Sequence, residues 1–132
     1  MKTDILTEED IQKMVLSFYS RVENNERLNY IFNDFAKVNW EDHLPKMFDF
    51  WSNVVFGTGR YRGNPYREHL PLPIVKNDFI HWFSLFEETV LELFEGENAK
   101  IVVQVAMNVA NMFRTRMDMA GKFDLDSVSN EK

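Results

Sequence analysis

The chain has 132 residues, of which 45% are hydrophobic and 27% charged; this suits one globular domain, excludes a disordered chain, and leaves no apolar run near the length of a membrane span. A net charge of −6 with no basic cluster argues against nucleic acid as a partner, and the lack of cysteine excludes disulfides, thiolate catalysis, iron–sulfur clusters and Cys-bound zinc. Aromatic residues make up 14% of the chain (12 Phe, 3 Trp, 4 Tyr), enough ring surface for a dense core or for the lining of a pocket that takes a flat apolar ligand.

Met1-Lys2-Thr3-Asp4 opens with no apolar signal segment, so the cytoplasm is the expected compartment. Ile11, Met14, Val15, Phe18 and Val22 then recur at helical spacing. Thr7 is the expected N-cap, with Asp10 in the capping-box position, and Asn24-Asn25 end or bend the helix. Arg27 to Phe35 reads as one or two short helices around Leu28, Ile31 and Phe32. The next helix starts near Asn39, turns Leu44, Met47, Phe48, Trp51, Val54 and Val55 inward, and stops at Gly57. Pro45 lacks an amide donor, so the first turn should be offset or tightened around His43 to Pro45.

Glycine and proline concentrate between Gly57 and Pro73, leaving room for a short helix from Pro65 to Leu70 that carries His69 near its end. Two long helices follow. One starts at Asn77 or Asp78 and carries Phe79, Trp82, Phe83, Phe86 and Val90 on one stripe until Gly96; the other runs from about Glu97 to Ala120, capped by Gly121. The class is all-α, with a domain over residues 1–123 and a polar, frayed tail over 124–132.

Few residues offer chemistry. The three histidines, His43, His69 and His81, include no i, i+4 zinc pair, and no nucleophile motif is present. Asp78-x-x-His81 could be half of a di-iron carboxylate site, but the second half is missing. His69, pinned by prolines beside aromatic-rich helices, suits the one axial imidazole that a haem iron needs; on spacing alone a surface histidine in a loop is the commoner case.

The order of the motifs carries more. It runs Phe18-Tyr19; Ile31-Phe32-Asn33; Trp40-x-x-His43-x-Pro45-x-Met47-x-x-Phe50-Trp51; Gly57-x-Gly59-x-Tyr61-x-Gly63-x-Pro65; His69-Leu70-Pro71-Leu72-Pro73; and Phe79-x-x-Trp82-x-x-x-Phe86-Glu87-Glu88. Over roughly residues 8–118 this resembles the truncated haemoglobins of group III, a bacterial family with a two-over-two helical sandwich around a haem. The glycine pairs usual in groups I and II are absent, as the third group's pattern expects.

The resemblance implies haem b, bound without covalent attachment, with His69 as the iron ligand. It turns Tyr19 and Trp82 toward a small ligand on the distal side and sets His43 at the distal gate. Phe18, Phe32, Met47, Trp51 and Phe86 would line the pocket; Lys46, Arg60, Arg62 and Arg67 are candidates for the propionates, which need basic or hydrogen-bonding partners. A hydroxyl and an indole N–H are donors for a ligand that carries partial negative charge, and they count for more in a dry pocket. The expected ligands are oxygen and nitric oxide, with reaction with nitric oxide or peroxide favoured over oxygen transport and an external reductase supplying electrons. The alternative is a helical sensor or partner-binding module, with or without haem.

Overall fold

A computed structural model describes residues 2–35, 39–61 and 76–119. Five α-helices stand among these: α1 (Glu8–Glu23), α2 (Glu26–Asn29), α3 (Trp40–Phe56), α4 (Lys76–Leu93) and α5 (Glu97–Met119). The expected short helix from Pro65 to Leu70, the Gly121 cap and the polar tail lie outside the described residues.

α1 begins as its sequence predicts. The Thr7 hydroxyl accepts the Asp10 amide at 3.1 Å, and the Asp10 carboxylate accepts the amides of Thr7 (3.1 Å) and Leu6 (2.9 Å), so three amides that the helix itself cannot satisfy find partners. Its buried residues are Ile11, Met14, Val15, Phe18, Tyr19 and Val22. Tyr19 lies four residues after Val15 and three before Val22, so one stripe carries all three inward. Asn25 then caps α2 by accepting the Leu28 amide at 3.0 Å.

The segment expected as one or two short helices is α2 followed by a π-helical turn over Tyr30–Phe35. A π turn is wider than an α turn and changes where side chains point. Here Asn33 lies between Asn29, whose side-chain oxygen accepts its amide, and Trp40.

α3 starts where expected, with Asn39 as N-cap accepting the Glu41 amide at 3.1 Å. The Asn39 carbonyl accepts from both Asp42 (3.1 Å) and His43 (2.9 Å), which tightens the first turn just ahead of Pro45. The helix then runs through Pro45 to Gly57, whose left-handed φ of 66° closes it.

α4 begins at Lys76, just before the expected start, and ends at Leu93 rather than reaching Gly96. The reason is the N-terminal segment. Thr3 bridges Phe94, and the Thr3 carbonyl accepts the Glu95 amide at 3.0 Å, so the chain there leaves the helix. The next residue, Asp4, accepts the Asn98 and Ala99 amides at 2.9 Å each and caps α5. Desolvation would raise the Asp4 carboxyl, but amides of Asn98, Ile5, Ala99 and Glu97 outweigh it and hold the group below its ordinary range.

α1 packs on α3 and α4, α4 runs along α5, and α5 returns to α3, so the pair α1/α3 lies over the pair α4/α5. Ile5, Ile11, Met14, Val22, Phe86, Val90, Val102 and Met117 fill the space between the two layers. Among the described residues no helix is long and apolar enough to cross a membrane.

Candidate functional site

Three helices bring the aromatic residues singled out in the sequence to one place. α4 supplies Phe86, buried to 1% exposure, which stacks on Trp51 of α3 (centroids 4.8 Å apart, planes at 18°) and on Trp82 one turn back (5.7 Å, 6°). Phe18 of α1 stands edge-on to both Phe86 (5.1 Å) and Trp82 (5.9 Å). Met47, half-buried on α3, packs against the hydrophobic core to which Phe18, Trp51 and Phe86 belong. The geometry is an apolar wall built from rings, in the offset and edge-to-face arrangements that ring quadrupoles favour.

At one edge of the wall sits a polar pair. The Tyr19 hydroxyl lies 2.9 Å from His43 Nε2, and the two rings meet edge to face at 5.3 Å. Tyr19 is only 9% exposed, and burial pushes its hydroxyl well above the ordinary tyrosine range, so it stays neutral and keeps its proton to donate. His43 remains half-buried, between this pair and solvent. The His43 ring thus touches Tyr19 while the residue is only partly buried.

Trp40 heads one of the motifs behind the resemblance, but it receives no role at the site from the sequence. Its indole is edge-on to Tyr19 (5.0 Å) and to His43 (5.5 Å), and its N–H donates to the Asn33 side chain at 2.8 Å. The signal available was its place in that motif, three residues ahead of His43, which puts both on one face of α3.

The other candidates separate clearly. Lys46 is exposed on α3. Arg60 is engaged elsewhere: it donates to the Glu8 carboxylate and to the Ser52 hydroxyl, tying the end of α3 to the start of α1. Phe32 belongs to the π turn, but its side chain lies outside what is described, as do His69, Arg62 and Arg67. Asp78 does not belong to a metal motif. Arg27 grips both its oxygens, at 3.1 and 2.9 Å, and His81 lies exposed near Asn77.

The donor set suits haem. A flat apolar macrocycle needs an apolar aromatic wall, and a small polar ligand on one face of it needs nearby donors; the rings of Phe18, Trp51, Trp82 and Phe86 with the Tyr19–His43 pair offer that combination.

Comparison with known proteins agrees. The family profile for bacterial-like globins matches residues 4–118. The chain is 31% identical over 121 residues to a group 3 truncated hemoglobin of Campylobacter jejuni, covering 89% of this chain and 95% of the relative. The crystal structure of a group III truncated hemoglobin from the same organism superimposes with a TM-score of 0.79 at 30% identity, again over 89% of this chain and 95% of the other. The chain therefore belongs to the bacterial-like globins, all-α haem proteins that bind small ligands, and among them to the group III truncated haemoglobins.

Proposed function

We propose that the protein holds haem b without a covalent bond, takes His69 as the iron ligand, and handles nitric oxide or peroxide in the cytoplasm, with oxygen among its ligands and an external reductase as electron source. The observation that carries this reading is the buried Tyr19 hydroxyl, 2.9 Å from His43 Nε2 at the edge of an apolar ring wall. Haem, when bound, supplies an iron with one face open to a diatomic or peroxide ligand.

The rest of the work falls to the chain's own residues. Phe18, Met47, Trp51 and Phe86 exclude water from the pocket, which strengthens every polar contact inside it, and the resemblance assigns Phe32 to the same lining. Tyr19 O–H and Trp82 N–H offer two donors to the ligand. Trp82 is placed for this by its stack on Phe86 and its edge contact with Phe18, which fix the indole plane. His43, half-exposed, can pass a proton between solvent and Tyr19. Lys46 and Arg67 are assigned to the propionates by charge. Two donors favour reaction over carriage, because a carrier must let its cargo go, while donors aimed at a bound ligand hold it and polarise it.

Two measurements test the proposal. His69→Ala should lose most of its haem absorbance at equal expression; a full haem complement in that variant removes His69 as ligand. Stopped-flow mixing of the oxygenated protein with nitric oxide, and of the ferric protein with peroxide, should give fast reactions that slow in His43→Leu. Rapid oxygen release with sluggish reaction in both assays would return the protein to transport or sensing.

A further inference from the structure

The mutual contacts of Trp40, Tyr19 and His43 go beyond lining a pocket. Each ring meets the other two edge to face, at centroid distances of 5.0, 5.3 and 5.5 Å. His43 and Trp40 stand on the first turn of α3, the turn that the shared Asn39 carbonyl tightens and that Pro45 deprives of an amide donor. Backbone hydrogen bonding is therefore thinner here than in mid-helix, and side-chain contacts must do more to fix where the His43 ring lies.

The polar end of Trp40 points away from the pair. Its N–H donates to Asn33 at 2.8 Å, and Asn33 in turn donates to the Asn29 side chain. This chain of bonds crosses from α3 to the π turn and then to α2. The indole cannot swing out without breaking it.

We propose that Trp40, anchored by Asn33, is the positioning residue that holds His43 against the Tyr19 hydroxyl. This rests on the reading that Tyr19 and His43 face the bound ligand. Neither Trp40 nor Asn33 touches the ligand; they set how often the Tyr19–His43 bond is made. The π turn acquires a purpose in this arrangement, since it brings Asn33 round to the indole.

The experiment is infrared spectroscopy of the carbonyl stretch in the CO-saturated ferrous holoprotein, where ligand molecules near different donors absorb at different frequencies. The wild type should show one dominant band. Trp40→Phe keeps a ring and loses the N–H; Asn33→Ala keeps the indole and loses its acceptor. Each removes the same hydrogen bond and should shift the ratio of the dominant band to a second band by about 2- to 12-fold, the equilibrium worth of one ordinary hydrogen bond. The double variant should go no further than Asn33→Ala alone, because the Trp40–Asn33 bond that Trp40→Phe removes is already lost there, together with the bond to Asn29. His43→Leu should show the second pattern alone.

If Tyr19→Phe and His43→Leu leave the bands unchanged, the distal reading itself fails. If those two shift the bands while Trp40→Phe and Asn33→Ala keep the wild-type ratio, the positioning role is overturned and the distal reading stands. Should Trp40→Phe fail to fold, Asn33→Ala alone decides, as it leaves every ring in place.

Discussion

The Tyr19 hydroxyl has one proton, and His43 Nε2, 2.9 Å away, can claim it. When the His43 proton sits on Nδ1, Nε2 accepts from Tyr19, and the hydroxyl has nothing left to offer a ligand. When Nε2 carries a proton, it donates to the Tyr19 oxygen, and the hydroxyl proton turns free toward the pocket. A doubly protonated imidazole can only donate, so acid selects the second arrangement. Burial keeps Tyr19 itself neutral throughout. The expected outcome is that oxygen release slows as the pH falls. One hydrogen bond is worth about 0.5–1.5 kcal/mol net, or about 2- to 12-fold in the dissociation rate when association is unchanged. His43→Leu removes the competitor, so release should be slow and flat with pH. Tyr19→Phe removes the donor, so release should be faster by that factor at the acid end. Stopped-flow displacement of oxygen by carbon monoxide across the stable pH range reads all three. A Tyr19→Phe rate equal to wild type at every pH would refute the reasoning.

Trp82→Phe should keep the stack on Phe86 and lose the N–H, raising oxygen release by about 2- to 12-fold with little change in melting temperature; an unchanged rate would remove Trp82 from the ligand. Arg27→Met should cost about 1–3 kcal/mol in urea unfolding, because it takes two charge-assisted bonds from a carboxylate on a side chain only 7% exposed, while Asp78→Asn keeps an acceptor for an Arg27 that is 39% exposed, costing less; equal costs would show that burial is not the deciding term. Gly96→Ala should destabilise by about 1–3 kcal/mol, since φ is +134° and a Cβ would sit 2.5 Å from Asp4 Cγ; a wild-type melting curve would contradict the close approach. The Asp4 carboxyl is held below its ordinary range, so its stabilisation is full above that range and fades as pH falls through the lowered value. The stability gap between wild type and Asp4→Asn should accordingly close on acidification, and a constant gap would rule that out.

What was legible in the sequence was what local spacing can encode. Thr7 and Asp10 lie three residues apart, and the amides they satisfy lie in the same turn, so the start of α1 could be read without knowing the fold. Gly57 closes α3 for the same kind of reason. The N-terminal strap could not be read this way. Thr3 and Asp4 find their partners at Glu95, Asn98 and Ala99, on the far side of the chain, and six residues are too few to show a period. The early end of α4 follows from that strap and was hidden with it. Asp78 looked like half of a metal motif because His81 lies three residues on; its actual partner, Arg27, is 51 residues away.

The site divides along the same line. Phe18, Trp51, Trp82 and Phe86 announce themselves through helical stripes, but a stripe says only that a ring is buried, and core packing accounts for that equally well. Their order along the chain, in the resemblance to a known family, is what assigned them to a pocket. Trp40 stands in the same order but received no role from it; it heads α3, and its ring partner Tyr19 comes from α1. Its contacts arise where α1 and α3 meet, and there the wall changes character: Phe18 meets the rings of Trp82 and Phe86, while next to it Tyr19, His43, Trp40 and Asn33 are linked by polar and ring contacts, with His43 half-buried. A pocket that only stored oxygen could end at the rings. One that must admit a reactive ligand, and move protons to it, needs the polar run, and the helix crossing is where the fold can supply it without breaking the apolar wall.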